Sequence, residues 1–185
     1  MQMRSRDEIK EFLRGMPQKV EMVEMARIFA SFAHDEQKDK GGKPYFEHPE
    51  RVAARVADAY EDDYLTAIAY LHDTIEDGGF TTSDLKMFFP DVVWKVVEVL
   101  TRGKTTPREE YIENVAKNYL AARVKVCDLE DNIDLGRIPN PTQKDYDRRD
   151  RYLSEYRKLQ DAIIDWEKRL PANELETEFY AEYYC

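Results

Sequence analysis

The 185-residue sequence has few of the features on which secreted and membrane proteins depend. It holds only two cysteines, Cys127 and Cys185, which form no C-x-x-C pair and imply no disulfide framework. No apolar run approaches the length of a membrane span, and the N-terminus lacks the apolar centre of a signal peptide. These absences argue against a disulfide-stapled scaffold and a membrane protein, and they predict a protein of the cytoplasm.

Basic residues are also fewer than acidic ones. The chain has 28 Lys and Arg against 38 Asp and Glu, a formal net charge of -10. A surface for non-specific binding of nucleic acid needs clustered basic charge, so that class of partner is not expected. A small phosphorylated substrate stays compatible with this balance, because local Lys and Arg side chains or a metal ion can reverse the charge inside a pocket.

The pattern of apolar residues predicts an all-α fold. Apolar side chains recur at helical spacing, and no stretch shows the alternation of a strand. The predicted helices cover residues 6–13, 18–37, 49–60, 64–77, 82–89, 91–101, 108–119, 123–134 and 143–169. We expect a single domain over residues 17–170, preceded by an extension at 1–16 and followed by an acidic, aromatic tail at 171–185.

The segment around His72 and Asp73 is the strongest candidate for a site. A histidine beside an aspartate provides two metal ligands at one point of the chain. Glu76 and Asp77 follow three and four residues after Asp73, which would place all these groups on one side of a continuous helix. Carboxylates so close together should perturb each other's pKa. The alternative is a helix end with solvated acids and a hydrogen-bonded core histidine.

Further candidate ligands occur on either side of this segment. His48 precedes Pro49, which keeps the histidine out of the helical region and places it at the mouth of a helix. Asp128 follows an apolar run, and a buried carboxylate needs a metal or a basic partner such as Arg or Lys. The third histidine, His34, is expected near a helix end, where it supports the site indirectly; a ligand role is the alternative.

Two basic turns are candidates for phosphate binding. Residues 38–44 combine two glycines, a proline and three lysines, and residues 102–107 form a second basic turn. From composition alone, the 38–44 turn is equally consistent with a solvated connector. The candidate phosphate contacts are Lys40, Lys43, Arg102 and Lys104.

The order of these motifs resembles that of the HD superfamily of metal-dependent phosphohydrolases. The resemblance extends over about residues 26–135 and is nearest to the hydrolase domain of the RelA/SpoT family and its small stand-alone relatives. The motifs that carry it are Gly42-Lys43-Pro44-Tyr45, His48-Pro49, the segment Leu71 to Asp77, and Asp128 with Asn132. Such enzymes remove pyrophosphate from the 3′ position of (p)ppGpp.

The resemblance implies a role for each matched residue in an HD-type helical bundle. The implied metal ligands are His48, His72, Asp73 and Asp128. Glu76 and Asp77 match the pair that handles the attacking water. The predicted substrate contacts are Lys40, Lys43, Tyr45, Lys104 and Asn132. The implied cofactor is Mn²⁺, with Fe, Zn²⁺, Co²⁺ or Mg²⁺ as alternatives, the partner is a nucleotide, and a homo-oligomer is a further expectation.

The sequence departs from the family pattern at two places. Asp39 stands where the family has an arginine that stacks on the guanine base, and residues 129–131, Leu-Glu-Asp, replace a more basic segment usually reading Arg-Leu-His. The resemblance therefore does not predict which base the nucleotide substrate carries. Alternatives are an HD hydrolase for another nucleotide, such as a deoxynucleoside triphosphate or a monophosphate, a catalytically silent nucleotide-binding regulatory domain, and a helical scaffold. No synthetase segment follows, which favours hydrolysis alone.

Overall fold

The computed structural model describes residues 6–15 and 20–169, and this part of the chain is helical. In chain order the helices are α1 Arg6–Arg14, α2 Met22–Ala33, α3 Glu47–Tyr60, α4 Asp63–Leu71, α5 Thr82–Leu85, α6 Asp91–Leu100, α7 Arg108–Ala116, α8 Tyr119–Ile133 and α9 Gln143–Arg169, with a 3₁₀ turn at Leu135–Arg137. Strand geometry in these ranges is limited to one isolated bridge between Lys38 and Pro44. The predicted all-α fold is confirmed.

Local sequence signals explain where several helices begin. The Asp62 side chain accepts a hydrogen bond from Leu65 N at 3.0 Å and caps α4. Asn118 caps α8 in the same way through Ala121 N. Residues 81–84, Thr-Thr-Ser-Asp, are typical of a helix cap, and Thr81 and Asp84 do form a reciprocal capping box at α5. Each cap satisfies a backbone N–H that the first turn of a helix otherwise leaves without a partner.

Helices α4 and α8 lie at the centre of the molecule. Helix α4 packs against α2, α3, α6 and α8, and α8 packs also against α7 and α9. Six of the nine α4 residues are buried, as are ten of the fifteen α8 residues. A helix enclosed on all sides carries apolar residues around its circumference, which explains why α4 has no polar face. The polar side chains at the ends of these helices are therefore held at fixed positions.

Helix α9 covers the outside of α8. Leu159 and Ile163 are buried against the core, and Tyr152, Tyr156 and Trp166 are partly buried there. The apolar pattern of residues 143–169 predicts an inner face that includes Tyr146, and this prediction is wrong for Tyr146, because its side chain is 39% exposed. It lies in the first turn of α9, before the helix reaches the core.

Helix α1 packs onto the body of the protein. Ile9 and Leu13 are buried in the same hydrophobic cluster as the other helices, and Lys10 Nζ lies 2.5 Å from Asp84 Oδ1 at the start of α5. The predicted domain boundaries at residues 16 and 170 stay predictions. The tail at 171–185, which includes Cys185, lies outside the described residues. In the part of the chain that the structure describes, no helix is long and apolar enough to cross a bilayer.

Candidate active site

Two histidines and two aspartates from three regions of the chain meet at one point. His48 lies in the first turn of α3, His72 and Asp73 directly follow α4, and Asp128 lies in α8. The expectation that Pro49 keeps His48 out of the helical region is wrong, because α3 begins at Glu47 and a proline is tolerated in the first turn of a helix. Asp128 Oδ1 is 3.0 Å from His48 Nε2 and 3.6 Å from His72 Nε2. Asp73 Oδ2 is 3.2 Å from His72 Nε2 and 3.7 Å from His48 Nε2. The structure thus brings together all four predicted ligands, which we call the His/Asp cluster.

The His/Asp cluster has the donor set of a divalent cation site. His48, His72 and Asp128 each offer a ligand atom, and these atoms lie within 4.8 Å of one another. The His72 Nε2 atom is buried and has no hydrogen-bond partner among the described residues, which is the condition expected of a nitrogen that binds a metal. Two imidazole nitrogens and two carboxylate oxygens suit a first-row transition metal such as Mn²⁺, Fe²⁺ or Zn²⁺.

The far side of each imidazole ring is fixed by an acceptor. His72 Nδ1 lies 2.7 Å from the carbonyl oxygen of Ala69, and His48 Nδ1 lies 2.7 Å from Asp131 Oδ2. A carbonyl or carboxylate oxygen can only accept, so both Nδ1 atoms donate. Each Nε2 is then free to offer its lone pair to a metal, which is the arrangement that outer partners of ligating histidines normally provide.

The cluster attracts positive charge strongly. Burial lowers the pKa of His72, but the negative charges of Asp73 and Asp128 outweigh burial and raise this pKa to about 10. Burial raises the pKa of Asp73, while the His72 and His48 rings lower it, and the net result is a pKa below the usual value. A cation that binds here supplies the same positive charge with both rings neutral, so metal binding releases protons.

Three neighbours hold the two carboxylates in place. Tyr45 donates its hydroxyl to Asp73 Oδ2 at 2.6 Å. Asn132 donates to Asp128 Oδ1 at 2.6 Å, and Lys125 Nζ lies 2.6 Å from Asp128 Oδ2. The predicted contacts Tyr45 and Asn132 therefore lie beside the cluster. Lys125 is the basic partner that a buried Asp128 requires.

Glu76 and Asp77 lie in a tight turn, and the expected continuation of α4 through this segment is wrong. Helix α4 ends at Leu71. The Thr74 hydroxyl donates to Leu71 O at 2.7 Å and His72 Nδ1 donates to Ala69 O, so side chains take two of the last helical carbonyls. This competition ends the helix. The chain then closes on itself through a hydrogen bond from Asp77 N to Asp73 O at 2.9 Å.

The turn places both carboxylates at the edge of the cluster. Glu76 Oε2 accepts a hydrogen bond from Arg102 N at 3.0 Å. Burial, together with the charges of Asp73 and Glu76, raises the pKa of Asp77. His34 supports this turn as predicted: it caps the end of α2, and its Nδ1 is 3.0 Å from Gln37 Oε1, while Gln37 donates to Asp77 O. Hydrogen bonds to Glu76 and to the backbone of Asp77 therefore hold the turn that carries both carboxylates.

Gly78 is required by the packing of this turn. A Cβ atom at Gly78 would lie 2.6 Å from Thr74 O and 2.8 Å from the Ala33 Cβ. We expect Gly78→Ala to lower the free energy of unfolding by about 1–3 kcal/mol, the usual cost of overpacking. Urea unfolding followed by circular dichroism measures this change. Gly15→Ala is the matched control, because its Cβ would meet nothing closer than 3.5 Å; equal stability of the two variants would contradict the prediction.

A small polar cavity of about 150 Å³ opens beside the His/Asp cluster. We call it the metal cavity; its lining includes Asp73, Asp128, Glu76 and Asp77 together with cationic groups from three elements, Arg102, Arg108 and Lys125. Arg108 is held by a bidentate ion pair with Glu155, with both N–O distances 2.7 Å. The metal cavity therefore combines acidic and cationic side chains, and cationic side chains of this kind can pair with an anionic group.

A second cavity of about 260 Å³ adjoins the metal cavity. We call it the outer cavity; the residues that line both cavities are Tyr45, His48, Asn132 and Tyr152. The outer cavity is also lined by Lys40 and Asp39 from the 38–44 loop, by Arg137 from the 3₁₀ turn and by Arg148 from α9. Positive charge is therefore present here although an acid occupies position 39.

Asp39 organises its own loop. Its Oδ1 atom accepts hydrogen bonds from Gly41 N at 2.8 Å and Lys43 N at 2.9 Å. The loop then packs so closely against the 3₁₀ turn that a Cβ atom at Gly41 would lie 2.5 Å from Arg137 O. Lys43 pairs with Glu47 at 3.9 Å, and Lys104 is exposed; neither lines the metal cavity or the outer cavity.

Comparison with known proteins assigns the chain to a family. The family model described as HD domain matches residues 26–164. The chain belongs to the HD domain family. The matched range contains the whole His/Asp cluster, the turn with Glu76 and Asp77, and the residues that line both cavities.

Several HD domain proteins are similar to this chain. A guanosine-3′,5′-bis(diphosphate) 3′-pyrophosphohydrolase of Aquifex aeolicus is 37% identical over 133 residues, which are 69% of this chain and 19% of that protein. The Drosophila melanogaster pyrophosphohydrolase MESH1 is 34% identical over 145 residues, 73% of this chain and 80% of that protein. The chain thus spans about a fifth of the length of the bacterial relative and most of the length of the insect one.

A solved structure also matches this HD domain. It is described as a metazoan orthologue of SpoT that hydrolyses ppGpp, with a TM-score of 0.65 and 27% sequence identity. The match covers 80% of this chain and 88% of that chain.

Three residues at the site of this HD domain were not identified from the motifs. Lys125 carried one usable signal, since it is a charged residue between two valines, three residues before Asp128. Arg108 gave none, and Asp131 was visible only as a departure from the family pattern, because their partners, Glu155 and His48, lie 47 and 83 residues away in the sequence.

Proposed function

We propose that this protein is a metal-dependent phosphohydrolase that removes pyrophosphate from the 3′ position of (p)ppGpp. The observation that carries the proposal is the meeting of His48, His72, Asp73 and Asp128 beside two further carboxylates and a cation-lined cavity. Relatives named as guanosine-3′,5′-bis(diphosphate) 3′-pyrophosphohydrolases support the choice of substrate. We also propose that the protein works in the cytoplasm, where a nucleotide substrate is available.

The proposed cofactor is Mn²⁺, bound by the four residues of the His/Asp cluster. When bound, such an ion polarises a phosphoryl oxygen and lowers the pKa of a bound water. Mixed nitrogen and oxygen ligands suit Mn²⁺, and four protein ligands leave two positions of an octahedral ion open. Fe, Zn²⁺, Co²⁺ and Mg²⁺ are the alternatives that metal analysis would separate.

Glu76 and Asp77 are the proposed proton-handling pair. Glu76 accepts from Arg102 N through Oε2, and its Oε1, which lies 4.0 Å from Arg102 Nε, is the proposed atom that orients the attacking water and accepts its proton. Asp77, with its raised pKa, is suited to share a proton with that water or to return one to the leaving oxygen. Both carboxylates line the metal cavity without belonging to the His/Asp cluster.

The two cavities correspond to two parts of the proposed substrate. Arg102 and Arg108 are placed to neutralise the phosphate charge in the metal cavity, and Asn132 and Tyr45 lie where the two cavities join. Lys40, in the outer cavity, is the proposed contact to the rest of the nucleotide. Lys43 and Lys104 could contact a bound substrate only by moving from their present positions, and their proposed roles are the weakest in the set.

A second candidate substrate class is another nucleotide, such as a deoxynucleoside triphosphate or a monophosphate. One observation favours it: the outer cavity has Asp39 where the family has an arginine, and its positive charge comes instead from Arg137 and Arg148. A different arrangement of charge is compatible with a different base.

A nucleotide panel tests the substrate. The Mn²⁺-loaded protein is incubated with ppGpp, dGTP, GTP and GMP, and the products are separated by anion-exchange chromatography. We expect pyrophosphate and GDP from ppGpp, complete loss of activity with EDTA, and recovery on addition of Mn²⁺. Release of triphosphate or inorganic phosphate from another member, with ppGpp left intact, would transfer the assignment to the second class.

A further inference from the structure

His48, one member of the His/Asp cluster, forms a hydrogen bond with a buried aspartate, Asp131. Asp131 lies one helical turn after Cys127 on α8 and is only 2% exposed. Its Oδ2 atom is 2.7 Å from His48 Nδ1, the ring nitrogen that faces away from the cluster. The other histidine of the cluster, His72, has a neutral carbonyl oxygen, Ala69 O, in the corresponding place. The two rings are thus held by different kinds of acceptor.

Two guanidinium groups hold Asp131 in turn. Arg51 of α3 makes a bidentate pair, with Nε 2.8 Å from Asp131 Oδ1 and Nη2 3.0 Å from Oδ2. Arg137 of the 3₁₀ turn lies 3.1 Å from Oδ2 and also donates to the backbone oxygen of Asp131. The carboxylate therefore has a fixed orientation, because planar bidentate pairs restrict both partners.

The charges around Asp131 compensate its burial. Arg51 and Arg137 bring two positive charges to this carboxylate. The group of three has a net positive charge, and it still gives His48 an anionic acceptor.

We propose that Asp131 is a positioning residue that fixes the direction and the tautomer of His48 at the metal site. A carboxylate on the outer nitrogen of a ligating histidine keeps that nitrogen protonated and increases the basicity of the metal-binding nitrogen. His48 rotates about two side-chain bonds at the start of α3, so without Asp131 its ring would sample directions that do not face Asp128. The proposal rests on the metal-binding part of the proposed function and not on the identity of the nucleotide.

Metal affinity is the first test. Isothermal titration calorimetry with Mn²⁺ alone is expected to show about 10- to 100-fold weaker binding for Asp131→Asn than for the unchanged protein. Glu130→Gln is the matched control: it removes one acid from the neighbouring position, where Glu130 pairs with Arg55 and Tyr156, away from His48. Arg51→Gln is expected to weaken binding by a smaller factor, and Arg55→Gln to leave it unchanged.

The tautomer of His48 is the second test, and a merely structural role for Asp131 would not alter it. The chain has three histidines, so ¹⁵N spectra of histidine-labelled protein with Zn²⁺ contain few signals. We expect one Nδ1-protonated, Nε2-bound form of His48 in the unchanged protein and a mixture in Asp131→Asn. Unchanged affinity together with a single unchanged tautomer in Asp131→Asn would overturn the proposal.

Both tests are independent of the proposed hydrolysis. Neither uses a nucleotide, so inactivity toward ppGpp would leave them valid, while failure of the unchanged protein to bind Mn²⁺ would overturn both the metal site and this inference. If Asp131→Asn fails to fold by circular dichroism, Arg51→Gln tests the same contact with the carboxylate still present. Equal Mn²⁺ affinity of Arg51→Gln and Arg55→Gln would then count against the proposal.

Discussion

Replacement of Asp73 by alanine is expected to remove the bound metal and the phosphohydrolase activity together. Asp73 Oδ2 lies within 3.7 Å of the Nε2 atoms of both His48 and His72, so its loss opens one side of the cluster. Loss of an outer partner costs about 10- to 100-fold, and loss of a ligand should exceed that range. We expect kcat/KM to fall by at least about 1,000-fold, with bound metal below detection by elemental analysis.

The control for this experiment is a residue at the start of α4, the helix that Asp73 follows. Asp63→Ala removes an exposed acid from the first turn of α4, far along the helix from the His/Asp cluster, and should keep both metal and activity. Metal retained in Asp73→Ala at full stoichiometry would show that Asp73 is not a ligand. An unchanged protein that binds no divalent ion would instead favour a silent regulatory domain.

Replacement of Glu76 by glutamine is expected to leave the metal in place and to slow the chemical step. Glutamine keeps an oxygen that can accept from Arg102 N but cannot take a proton from water. Loss of a general base costs about 100- to 10,000-fold, so kcat should fall by such a factor while KM changes little. Single-turnover rates with ppGpp, measured alongside metal content, separate the two effects.

Glu24→Gln provides the matched control for Glu76, because Glu24 pairs with Arg27 on the exposed side of α2. It should retain full activity. Full turnover by Glu76→Gln would transfer the role of base to Asp77, and Asp77→Asn would then carry the large loss in kcat. Loss of metal from Glu76→Gln would show that Glu76 takes part in coordination.

Much of this site could be predicted because its ligands are marked by local sequence. Pro49 marks a helix start beside His48, and an apolar run precedes both the His72-Asp73 pair and Asp128. Each position could therefore be assigned to a helix end or a helix face. The all-α fold followed from the same periodicity. The convergence of the four residues depends on helix packing, and only the resemblance to the HD superfamily predicted it.

Other parts of the site could not be predicted, for identifiable physical reasons. Helical spacing predicted that Glu76 and Asp77 continue α4. Apolar periodicity carries no information about the side chains of His72 and Thr74, which form hydrogen bonds with the last carbonyls of the helix. The hydrogen bonds of Asp39 to its own loop depend on a backbone conformation. The contact of Asp131 with Arg51 joins residues 80 positions apart.

The enclosed position of α4 and α8 divides the protein into two parts that can evolve at different rates. The His/Asp cluster comes from α3, from the segment that follows α4 and from α8, and a change there disturbs the core. The outer cavity adds residues from a short loop, the 3₁₀ turn and α9 that are half-buried or exposed. We expect substitutions at these added residues to change the shape and charge of the outer cavity while the cluster stays intact.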